Sequence, residues 1–246
     1  MTQDSFTDRL QRAQLLHDTT VLMDPPYTPG VPLAGEMDLQ LPAFQQTIAA
    51  AAATNDQAQD AATAYGDMAR EREALRVTIL AAATSMLAYL RSKKSTLGTL
   101  LAGAEKVVSR MRGSKEKQPE PPADPGPAPK KRQRGQQSYM EQAGHLRTLI
   151  HLLTNKPAYN PPQIPGQPPH PGSLANLDSL LSSLRSYNTQ LCLRDADRIT
   201  TEGDRQEAFE DETTGLHPHF LALKAAVQSQ YGFNSTQYGI VRGIEW

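Results

Sequence analysis

The 246 residues suffice for one large domain or two ordinary ones, and either could bury a core. With 25 Lys and Arg against 26 Asp and Glu the charges nearly cancel, which excludes a whole-molecule field that would draw nucleic acid or a membrane surface. The single cysteine, Cys192, excludes an internal disulfide framework and a CxxC metal or redox site, and flanking Leu191 and Leu193 mark it as a small buried hydrophobe.

In chain order, Met1 to Asp8 lack the basic and apolar regions of a secretory signal, so a soluble, cytoplasmic protein is expected. Ser5-Phe-Thr-Asp8 reads as a helix start, a serine cap with an acid three residues on. Asp24-Pro-Pro-Tyr-Thr-Pro-Gly30 ends that helix, and Leu41, Phe44 and Ile48 open a second. The Ala49–Ala53 run permits close packing and offers no chemistry. Met68, Leu75, Ile79, Ala82, Met86 and Leu90 form the stripe of a longer helix, whose other face carries Arg70 to Glu73. Its apolar stretch, Val77 to Leu90, is too short to span a bilayer.

Residues 113–137 hold no large apolar side chain, and six prolines fall between Pro119 and Pro129, the composition of an extended linker. Lys130, Lys131, Arg132 and Arg134 close it as a basic run that is either a solvated linker, a targeting signal or a contact for a polyanion. Ser138-Tyr-Met-Glu141 repeats the capped start, and Tyr139, Ala143, Leu146, Ile150 and Leu153 share one helix face. Asn160-Pro-Pro-Gln-Ile-Pro-Gly166 repeats the proline motif, and Leu177, Leu180, Leu181, Leu184 and Tyr187 follow as the next helix. Gly215 and Pro218 then divide the third helix of this half in two. Gly232 stops the last of these.

The order of landmarks is the same in both halves: capped helix, proline loop, helix, Asn55 or Asn188, Arg72 or Arg205, and a Ser-Thr pair at Ser95 or Ser235. Together with the sparse aromatics, this predicts an all-α protein made by tandem duplication of a roughly three-helix unit. The copies, 1–112 and 138–246, would form one six-helix body or two small bundles joined by the linker at 113–137. The closing segment, with Tyr231-Gly-Phe-Asn-Ser235-Thr-Gln-Tyr238, resembles the tail of uncharacterised bacterial duplicated helical proteins. That resemblance implies no activity.

No residue pattern identifies an active site. His217-Pro-His219 lacks the i, i+4 spacing of a helical zinc pair and reads as a loop at a helix start. Asp195, Asp197 and Arg198, with Arg205 and Glu207, read as a salt-bridged or solvated helix face. Neither a metal nor a cofactor is expected, nor an enzyme. The expectation is a structural or assembly protein that binds further copies of itself or another protein. Its joints would be the proline loops (Pro25, Pro26, Tyr27, Pro29, Pro161, Pro162, Pro165) and the C-terminal aromatics (Tyr231, Phe233, Tyr238, Trp246), unless these cap each half's own core. The alternative is an adaptor for nucleic acid or another polyanion acting through the basic linker.

Overall fold

The computed structural model describes residues 5–30, 37–113, 134–163 and 168–246, with the backbone alone for 134–139. Among them all regular structure is helical: α1 (Phe6–Val21), α2 (Leu41–Ser92), α3 (Lys94–Met111), α4 (Arg134–Thr154), α5 (Leu174–Glu210), α6 (Leu216–Tyr231) and α7 (Thr236–Arg242).

The helix ends follow local chemistry. Ser5 and Asp8 close a reciprocal capping box at α1, each side chain accepting from the other's backbone N–H. Gly232 ends α6 at a φ of 87°, a left-handed conformation that glycine adopts without a Cβ penalty. Ser235 caps α7 through Tyr238 N–H at 3.1 Å.

Three expectations need correction. The helices read at Leu41 and at Met68 are one 52-residue helix, α2, because its only proline, Pro42, sits in the first turn, where it is tolerated, and Gly66 alone costs only about 1 kcal/mol in a helix. By length and composition α2 is also apolar enough to cross a membrane, although 33% of its apolar window is buried in the protein's own packing. The second capped start does not form: α4 begins at Arg134, so Ser138 lies inside the helix.

The described chain packs as two compact units. The first takes residues 1–65 and 194–246, and its core joins Leu16 of α1, Phe44 of α2, Phe209 of α5, Phe220 of α6 and Val241 of α7. The second takes residues 66–193, and its core joins Met86 and Leu90 of α2, Leu101 and Val108 of α3, Leu146 and Leu149 of α4, and Leu177 and Leu184 of α5. The units therefore do not coincide with the halves 1–112 and 138–246, since each core draws on both. Truncating any one of these buried leucines to alanine costs about 2–5 kcal/mol.

Many core positions recur at a fixed distance along the chain. Ala13 and Leu146, Leu16 and Leu149, Phe44 and Leu177, Ile48 and Leu181, Ala51 and Leu184, and Ala58 and Leu191 are all buried, and each pair is 133 residues apart. Helices α1 and α4 end at that offset, and α2 and α5 begin at it. Further along, the offset lengthens to the 140 residues separating Ser95 from Ser235, and the break between α5 and α6 at residues 211–215 falls within the stretch over which it changes.

Candidate interaction surface

In the first unit the proline loop and the C-terminal segment, far apart in sequence, meet. Gln230 bridges to the loop twice, its Nε2 donating to Pro26 O at 3.0 Å while its Oε1 accepts from Thr28 N–H at 3.0 Å. Tyr231 Oη donates to Pro25 O at 2.6 Å, and Gln237 Nε2 to Asp24 O at 2.7 Å. Proline nitrogens cannot donate, so apart from the Thr28 N–H the loop offers mainly carbonyls, and α6 and α7 supply their donors.

The meeting sorts the candidate residues. Tyr27 is buried in the core, contrary to the expectation of an exposed anchor, and its hydroxyl reaches Leu39 O at 3.5 Å. Burial pushes that hydroxyl's pKa up to about 12. Pro25 and Pro26 stay exposed, and Pro29 is half-buried. Phe233, in the turn between α6 and α7, is 55% exposed, with its ring 5.7 Å from Tyr238 and the Arg242 guanidinium 5.3 Å above it. Ile240 on α7 is 55% exposed as well. Two prolines, Phe233 and Ile240 thus leave apolar area in solvent on elements that hydrogen bonds hold in place.

Trp246 faces inward. It stacks on His217 at 4.9 Å and packs on Phe220 at 5.1 Å, with the Arg9 guanidinium 5.8 Å from its ring. Lys224 Nζ donates to Arg242 O at 3.2 Å and Ile244 O at 2.7 Å, binding the carbonyls that α7 leaves open. Partial burial lowers the pKa of that amine.

The second proline loop, in the other unit, is tied differently. Tyr159 is buried and its hydroxyl donates to Gly172 O, while Tyr89 Oη donates to Asn160 O at 2.7 Å. Pro161 is buried, which removes it as a docking residue, and Pro162 is exposed. Pro165, Lys130, Lys131 and Arg132 lie outside the described residues, as does the side chain of Arg134.

The remaining candidates resolve into packing. His217 and His219 fall in the first turn of α6, not in a loop, and they face different partners. His217 Nδ1 lies 3.3 Å from Glu210, whereas His219 is buried between Asp38 O at 2.7 Å and Thr47 Oγ1 at 3.2 Å. Among the described residues no His, Cys, Asp and Glu cluster has the make-up of a metal site. Asp195 pairs with Arg198 at 2.9 Å, while Arg205 pairs with Glu202 at 2.5 Å rather than with Glu207. Cys192 is exposed, not buried, because it lies off the buried stripe that α5 carries through Leu184 and Leu191.

Two features escaped the sequence. Arg72 is fully buried in the second unit, its Nε donating to Asn188 Oδ1 at 2.8 Å and one terminal nitrogen to Gln142 Oε1 at 3.2 Å. Arg72 and Arg205, like Asn55 and Asn188, stand 133 residues apart, and that recurrence was the available signal. The second is an open groove of about 520 Å³ between α4 and α5, lined by Met140, Gly144 and Arg147 on one helix and Arg185, Asn188 and Cys192 on the other. Compared with known proteins, the chain matches no family model, no curated protein and no solved structure.

Proposed function

We propose that the chain is a non-enzymatic structural or assembly protein, a tandem duplication of one helical scaffold that associates with further copies of itself. The duplication is supported by the recurrence of buried positions at 133 residues and by the matching ends of α1 and α4. Each unit then combines the first helix of one copy with the last helices of the other. The halves are complementary because each supplies what the other lacks.

The observation that carries the assembly reading is the fixed, exposed apolar set on the first unit: Pro25, Pro26, Phe233 and Ile240. Exposed side chains held on braced elements lose little conformational freedom on docking, and an aromatic among prolines is a favourable anchor. Burying a phenylalanine is worth about 1.5–3 kcal/mol, and each 1.4 kcal/mol is tenfold in affinity. Light scattering of the full chain over increasing concentration should therefore show a mass rising above the monomer. Phe233→Ser with Ile240→Ser should move that rise to roughly tenfold higher concentration or more. A wild-type protein that stays monomeric contradicts the reading.

A further inference from the structure

Resting on self-association, we infer that the α4/α5 groove of one molecule receives the acidic face of α5 from a second copy of this chain. The groove has two regular walls. Met140, Ala143, Gly144 and Arg147 line it from α4, and Arg185, Asn188, Thr189 and Cys192 from α5, both at i, i+3, i+4 and i+7. Neither arginine side chain makes an ion pair among the described residues, and no acidic side chain lines the groove.

The fold does not require these cations. At the positions 133 residues earlier stand Gln14 and Ala52 in place of Arg147 and Arg185. The scaffold thus builds the same helices without them, and the charge belongs to what the groove meets.

The complementary face lies further along α5. Asp197, Thr200, Asp204 and Glu207 share one exposed face, at i, i+3, i+7 and i+10. The neighbouring acids are already engaged, Asp195 by Arg198, Glu202 by Arg205 and Glu210 by Arg9, while Asp197, Asp204 and Glu207 have no such partner among the described residues. The arginines nearest in sequence, Arg198 and Arg205, pair with Asp195 and Glu202, and Arg194 stands one turn before Asp197. Two arginines on facing helices against three carboxylates on one helix is a match of opposite charge that fixes register and penalises other partners.

The test is sedimentation velocity of the full chain and of two charge-reversed variants, R147E/R185E and D197K/D204K/E207K, each checked for unchanged helicity by circular dichroism. The wild type should associate, and more weakly as salt rises. Each variant alone should associate only at distinctly higher concentration than the wild type, because one has lost its groove and the other its acidic face while the apolar patch stays intact. Mixed at equal concentration, the two should form a one-to-one complex, since an intact face then meets an intact groove. Variants that associate as the wild type does, or a mixture that stays monomeric, would overturn this contact while leaving self-association standing. A wild-type chain that remains monomeric throughout would overturn both.

Discussion

Among the described residues Arg72 is the largest fully buried side chain, and a guanidinium in a core is tolerated only if its donors find acceptors. Asn188 supplies one from the other long helix, so the pair fixes the register of α5 on α2 inside the second unit. The corresponding atoms of the first unit, Asn55 Oδ1 and Arg205 Nε, are buried but accept or donate no hydrogen bond among the described residues. Arg205 instead lies 4.2 Å over the Phe6 ring. Asn188→Ala should therefore cost about 1.5–3 kcal/mol in urea unfolding, the worth of a hydrogen bond to a charged group, and Asn55→Ala distinctly less. Equal costs would mean that Asn188 contributes no more to its core than Asn55 does. At this scale the sequence was informative about which residues recur and silent about their role. A lone Arg or Asn on an amphipathic helix reads as surface until its neighbours in space are known.

Among the elements, the break between α5 and α6 contrasts most clearly with α2, which runs without a break from Leu41 to Ser92. Asp211 Oδ1 accepts from the backbone N–H groups of Thr213 and Thr214 at 3.0 and 2.7 Å and from both hydroxyls at 2.8 Å. These bonds favour the ionised form and hold the carboxyl well below its ordinary 3.8, the Thr213 hydroxyl contributing most. With the folded value depressed, the stabilisation is present above 3.8 and is lost as pH falls below it. Asp211→Asn should lower the melting temperature at neutral pH and flatten the loss of stability in acid, as thermal melts at several pH values would reveal. If the variant keeps the wild-type acid limb, Asp211 does not cap this turn. Gly215 and Pro218 made the break legible in the sequence, whereas the continuity of α2 was not. A long alanine-rich helix presents no punctuation, and its apolar stripe changes partners at the unit boundary between Tyr65 and Gly66.

For the molecule as a whole, all-α architecture followed from composition and periodicity, because alanine, leucine and glutamine favour helix and the stripes repeat at three and four residues. How the halves combine did not follow, since periodicity identifies a buried face without naming what buries it. The candidate surface was half legible for the same reason. Pro25, Pro26 and Phe233 are exposed, whereas Tyr27, Pro161 and Trp246 turn inward to close their own cores. What remains outside is a braced apolar patch on one unit and a two-arginine groove on the other, surfaces of different chemistry and suited to unlike contacts. Electron microscopy of the purified full chain tests self-association most directly. Particles larger than one chain, as rings, filaments or discrete oligomers, are expected, and they should dissociate when Phe233 and Ile240 become serine. A field of single particles of monomer size at every concentration would contradict self-association.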